Sequence, residues 1–190
     1  MSAQTYSTGT VTLTSGFTAT IEVNSSLVTL TLVGPSTDWL GLSFNATSMN
    51  DNGSDVVIFD GTAMTDRTFA GIGATPPLDA SQNWTVTSNV INAGVRTVTA
   101  TRARDTGDSN DYTFSTSAQP LNLAWAHRPG SLAMGYHGPE IVVPLQLILH
   151  WVQKILLLNR LRCIPILPKV LQHWSFLILC QAVKLKCMTI

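Results

Sequence analysis

Neither cysteine nor lysine occurs in the first 140 of the 190 residues, and neither glycine nor any acidic residue occurs in the last fifty. A region without cysteine forms no disulfide and no thiolate zinc site, so its stability must come from an apolar core. Also missing are a phosphate loop ending in Lys-Ser or Lys-Thr, GxGxxG, HExxH, a CxxC pair and GxSxG. Each of those motifs carries a mechanism, and their absence lowers nucleotide-dependent and hydrolytic readings together. Cys163, Cys180 and Cys187 do not have zinc-ligand spacing. Eleven basic and eleven acidic residues cancel, and only 12% of positions are charged. No general attraction to nucleic acid or to an anionic membrane follows from that balance.

The zero net charge hides a seam. Residues 1–140 hold all eleven acidic residues and five arginines, a net charge of −6, together with all 13 glycines. Residues 141–190 hold six basic residues and all three cysteines. The first part is rich in Thr, Ser, Gly and Asn, poor in helix formers, and alternates β-branched with polar residues. Strand-like runs cover Thr10–Thr14, Phe17–Val23, Leu27–Val33, Trp39–Phe44, Asp55–Asp60 and Arg67–Gly71. They continue through Trp84–Ile91, Val95–Thr101, Asp111–Ser115, Leu121–Ala126 and Ser131–His137. Turn residues such as Gly34-Pro35, Asp60-Gly61 and Asn92-Ala93-Gly94 separate them. The expectation is an all-β protein, an immunoglobulin-like antiparallel β-sandwich of about ten strands over residues 5–139.

Residues 140–190 read as an atypical apolar, basic tail, irregular or poorly ordered. Its longest stretch free of charge, 170–183, is 14 residues long, short of the ~20 that a membrane span needs. Pro144, Pro165 and Pro168 interrupt any helical period. Moving the reading frame back by one base lets the codons for Cys163 to Val170 encode Tyr-Pro-Asn-Pro-Ser-Lys-Gly. That string resembles the start of the C-terminal sorting domain of proteins exported by the Por-type (type IX) system of Bacteroidetes. The preferred reading of the tail is therefore an out-of-frame translation of such a domain. The chain opens without the charged and apolar regions of a signal peptide, and Ser2-Ala3-Gln4 reads as the small-residue end of a truncated one. A secreted or cell-surface bacterial protein is expected. Four Asn-x-Ser/Thr sequons, at Asn24, Asn45, Asn52 and Asn83, are near chance in such a composition.

Few residues in the β-part carry chemistry. His127 and His137 are its only histidines, and Met49 lies in the polar, Asn-rich segment Asn45 to Gly53. Met64 and Met134 are rivals to Met49, although a strand through Ser131–His137 would point Met134 and His137 to opposite faces. Asp105 to Asp111 holds three carboxylates and an asparagine in seven residues but lacks the alternation of an EF-hand loop. An inter-strand turn, with Arg102 or Arg104 pairing to an aspartate, is expected there and calcium is not.

The ordered pieces Trp39-Leu40-Gly41-Leu42-Ser43-Phe44, Ser48-Met49 before Asp55-Val56-Val57-Ile58, and Trp84 come first. Arg102 to Asp108 with Asp111, then Leu123-Ala124-Trp125-Ala126 leading to Tyr136-His137-Gly138, complete the series. Over roughly residues 5 to 139 this order resembles the DOMON family, β-sandwich domains that include the cytochrome domain of cellobiose dehydrogenase. The resemblance implies haem b held between Met49 and His137, in a slot walled by Trp39, Phe44 and Tyr136, with Ile58, Phe69 and Trp125 as further candidates. A six-coordinate iron with thioether and imidazole ligands moves electrons and leaves no open position for substrate. The implied protein is no catalyst of its own but exchanges electrons with a redox partner. A carbohydrate-binding module without haem, stacking a sugar on Trp39, Trp84 or Trp125, is the alternative.

Overall fold

The computed structural model describes residues 5–137 with their side chains, and the backbone alone of 145–148 and 150–151. The rest of the tail, with the sorting-domain reading, lies outside the described residues. The strands are β1 (Tyr6–Ser7), β2 (Val11–Thr14), β3 (Phe17–Val23), β4 (Leu27–Pro35), β5 (Leu40–Phe44) and β6 (Asp55–Phe59). They continue as β7 (Met64–Thr68), β8 (Thr85–Asn92), β9 (Val95–Ala103), β10 (Pro120–His127), β11 (Leu145–Ile148) and β12 (His150–Trp151). One antiparallel sheet runs β12-β1-β3-β4-β9-β8, with β2 beside β3, and the other runs β11-β10-β5-β6-β7. The expected antiparallel sandwich is the observed architecture.

Period two explains the larger sheet. Along β3, β4 and β9 every second residue is buried, and Phe17, Ile21, Leu30, Leu32 and Val98 face the inter-sheet core while their neighbours are more exposed. Every residue of β5 and β6 is buried instead. On those strands Leu40, Leu42, Phe44, Val57 and Phe59 join the inter-sheet core, while Val56 and Ile58 join a second apolar cluster. The smaller sheet is therefore covered on both faces.

Three expected strands need correction. The strand expected at Arg67–Gly71 lies at Met64–Thr68, because Asp60 Oδ1 accepts the amides of Thr62 and Ala63 and closes the turn early. Met64 and Asp66 then point inward. Asp111–Ser115 is no strand: the Tyr112 amide donates to Asp55 Oδ2 and Phe114 packs fully buried, so tertiary contacts rather than a ladder produce the alternation there. Ser131–His137 is no strand either, and crosses the outer face of the smaller sheet as a series of bends.

A buried charge cluster ties the two sheets. Arg102 of β9 places Nη2 2.7 Å from Asp55 Oδ2 of β6, and Nη1 3.3 Å from Asp111 Oδ1 and 3.9 Å from Asp66 Oδ2 of β7. Its guanidinium also lies 4.9 Å from the Trp84 ring, 5.4 Å from Phe114 and 5.7 Å from Phe44. The expected pairing of Arg102 with an aspartate of the Asp105–Asp111 turn is thus met by Asp111. Burial pushes the Asp55 carboxyl up to about 6 against the pull of Arg102. Burial, reinforced by the Asp55 and Asp111 carboxylates, pushes Asp66 up to about 7. A carboxyl raised on folding binds more protons folded than unfolded, so stability declines as pH rises from the unfolded value near 3.8 through about 6 to 7. In metal-free buffer, urea unfolding should show a less stable protein at pH 8 than at pH 5. Arg102→Met should lose about 3–5 kcal/mol at pH 7, because it strands buried carboxylates, and lose less at pH 5 where they carry protons.

Candidate functional site

The outer face of the smaller sheet carries a cleft of about 450 Å³. Its floor follows from strand register. Gly41 and Ser43 of β5 sit directly opposite Ala126 and Ala124 of β10, and the pleat turns all four away from the core. Four small side chains at neighbouring outward positions leave a depression. Val56 and Ile58 of β6 stand opposite Ser43 and Gly41 on the other side, and raise one wall. Trp39, Phe69 and Met49 raise others, and the segment ending at His137 crosses above.

Local hydrogen bonds set the loop that carries Met49. Asn45 leaves β5 in the left-handed region, φ 56°, which asparagine tolerates. Asp51 Oδ2 accepts from the Thr47 amide at 2.6 Å, the Thr47 hydroxyl at 3.0 Å and the Ser48 amide at 3.2 Å. Those bonds hold the Asp51 carboxyl below its usual range. Met49, inside this turn, is half-buried against the cluster of Trp39, Ala46, Val56, Ile58 and Phe69.

His137 is half-buried, and its ring meets the buried Trp39 indole edge to face, with centroids 6.2 Å apart at 89°. His137 Nδ1, Trp39 Nε1 and Trp125 Nε1 are buried without a hydrogen-bond partner among the described residues. Tyr136, 75% exposed, stands at the rim with its ring 5.7 Å from His137. Among the described residues, no Asp, Glu, Lys, Arg or Cys lines the cleft. The Ser43 hydroxyl, one of its few polar groups, is engaged by the Ala124 carbonyl and amide, each at 3.2 Å. Such a cleft can hold a large apolar ligand and offer it sulfur and imidazole nitrogen. It supplies neither a carboxylate base nor an activated nucleophile.

Of the residues singled out in the sequence, Met49, His137, Trp39 and Tyr136 line this one cleft, as do Ile58 and Phe69, while Trp125 borders it from the inter-sheet core. Phe44 does not. It is 1% exposed in the inter-sheet core, stacked with Trp84 and edge-on to Phe114, because it has the parity of Leu40 and Leu42 on β5. Trp84 shares that core and lies under Arg102, so it is not a sugar platform either. Met64 is a core residue, whereas Met134 lines the cleft beside His137, since no pleat forces the two apart. His127 lies elsewhere: its Nδ1 is 2.8 Å from Asp38 Oδ2 and its ring packs on Trp125 and Phe17. Sequence reasoning missed the floor of Gly41, Ser43, Ala124 and Ala126. The available signal was small residues alternating with large apolar ones, on strands that lack a polar face.

No protein-family model matches the sequence, and no curated protein matches it. Among solved structures, the chain is similar to the cytochrome domain of Myriococcum thermophilum cellobiose dehydrogenase. That likeness has a TM-score of 0.44 and 18% identity, and covers 60% of this chain and 62% of that one. It is also similar to the cytochrome b domain of pyranose dehydrogenase from Coprinopsis cinerea, with a TM-score of 0.42 and 16% identity over 70% of this chain and 72% of that one. The chain spans less than two thirds of the length of the first.

The cleft should bind an apolar dye such as anilinonaphthalene sulfonate. Ala126→Phe, which fills the floor from a half-buried position, should weaken that binding about tenfold while leaving the circular dichroism spectrum unchanged.

Proposed function

We propose that the protein is an exported electron-transfer module that holds one haem b, with Met49 and His137 as the iron ligands and no substrate chemistry of its own. The observation that carries this reading is the convergence of a thioether and a half-buried imidazole, its Nδ1 buried and unpartnered, on one apolar cleft uncharged among the described residues. The volume of about 450 Å³ lies within the ~300–1,000 Å³ usual for cofactor sites. The donor set fits as well, since sulfur and imidazole are a pair that six-coordinate electron-transfer haems use, as in cytochromes c. Once bound, such a group supplies reversible one-electron chemistry.

The remaining work belongs to the chain. Asp51 fixes the turn that presents Met49, and the Trp39 edge limits rotation of the His137 ring. Apolar walls exclude water from the space between them. Tyr136, exposed beside His137, marks the side from which a redox partner approaches. The net charge of −6 over residues 1–140 suits a basic partner surface. A sugar module is less well supported, because a sugar needs convergent hydrogen-bonding side chains and this lining has few that are free.

Reconstitution with haemin followed by dithionite tests the proposal. Sharp α and β bands should form in the wild type and in Met134→Leu, and should be lost in Met49→Ala and His137→Ala. Failure of the wild type to take up haem, or bands that survive both alanine variants, would overturn it. Polysaccharide affinity electrophoresis on the same samples reports the sugar reading.

A further inference from the structure

The charge cluster under Trp84 is unbalanced. One carboxylate oxygen from each of Asp55, Asp66 and Asp111 lies within 4.8 Å of the other two, and their side chains are 1%, 0% and 2% exposed. Among the described residues Arg102 is the one cation against them, so two negative charges remain when all three are ionised. The arginine does not saturate them. Its Nη2 is committed to Asp55 Oδ2 and the Tyr112 carbonyl. Asp55 Oδ1 and Asp66 Oδ1 are buried with no hydrogen-bond partner, and Asp111 Oδ1 has only the 3.3 Å ion pair with Nη1. Asp79, 8% exposed, adds a further carboxyl nearby, also with one unpartnered oxygen.

We infer that Asp55, Asp66 and Asp111 hold a hard divalent cation of the calcium class beside Arg102. Three considerations select it. The residual charge is the one a divalent ion carries. All available donors are oxygen, which suits calcium, magnesium or manganese and not a thiophilic metal. Three oxygens no more than 4.8 Å apart share a point within about 2.8 Å of each, so small side-chain adjustments bring all three to the ~2.3–2.6 Å of calcium coordination. One proton shared between two of these carboxyls removes only one of the two excess charges, whereas a divalent ion removes both. A cation at the centre uses one oxygen from each.

The site differs from the EF-hand reading of Asp105 to Asp111. Within that turn, Asp105 Oδ1 accepts the Gly107 amide and Asp108 Oδ1 the Asn110 amide, so both serve the turn itself. Asp111 alone turns inward, while Ser109 and Asn110 before it are exposed. A cation here would lock β6, β7 and the end of this turn to one another. It would act on the stability of the sandwich rather than on the cleft, because Asp55 and Asp66 lie on the core face of the smaller sheet.

The test uses the full chain, stripped with EDTA and dialysed, and then titrated with CaCl2 against NaCl of equal ionic strength. Calcium should raise Tm by about 5 °C at saturation and bind with a stoichiometry of one by calorimetry. Asp66→Asn, which replaces one buried charge with a neutral isostere, should fold and lose the response; Asp111→Asn serves if it does not fold. An unchanged Tm and no binding heat with calcium, magnesium or manganese would overturn the inference and assign the excess charge to bound protons. An equal calcium response in both variants would also overturn it, by placing the ion elsewhere.

Discussion

Covering the smaller sheet on both faces is the constraint from which the rest of the structure follows. On β5 the pleat sends Leu40, Leu42 and Phe44 to the inter-sheet core and Gly41 and Ser43 to the other side. On β10 it sends Leu121, Leu123 and Trp125 into the core and leaves Ala124 and Ala126 beside Ser43 and Gly41. Large residues on one face and small ones on the other produce a filled core and an open cleft from the same strands. An outer face this apolar cannot stay bare in water without cost, at roughly 25 cal/mol for each Å² left exposed. The segments around Met49, Phe69 and His137 fold over it for that reason, and so bring together residues that are far apart in the chain.

The same pleat separates the two sites. Along β6, Val56 and Ile58 face the cleft, while Asp55, Val57 and Phe59 face the other sheet. The Arg102 cluster and the cleft therefore share a strand but not a space. Charge that would spoil an apolar binding cleft is kept where aromatic rings and an arginine surround it.

Much of this was legible in the sequence because period two is a local property. Phe17–Val23 needed only its own alternation to be read as a strand with the observed ends. Met49, Trp39, Tyr136 and His137 were legible as a group only through the order of motifs around them, since no spacing along the chain shows that residues 88 positions apart meet. What was not legible was decided by tertiary contact. Phe44 looks like a wall of the cleft from its place in the motif, and its parity on β5 sends it to the core instead. Tyr112 and Phe114 alternate like a strand and are held by Asp55 and Arg104. Met134 looked excluded only while its segment was taken for a pleated strand.

The composition of the cleft also fixes an electrostatic sign. Among the described residues no carboxylate lines the cleft, so a centre held there would meet uncharged walls. A group that gains positive charge on oxidation would lose its hydration there and gain no counter-charge in exchange, so the reduced state is favoured. Under the proposed haem reading, a thioether ligand would bias iron in the same direction, being a soft donor that prefers the ferrous ion. On that reading wall and ligand would act together, and both would depend on the small residues of β5 and β10 that leave room in the cleft.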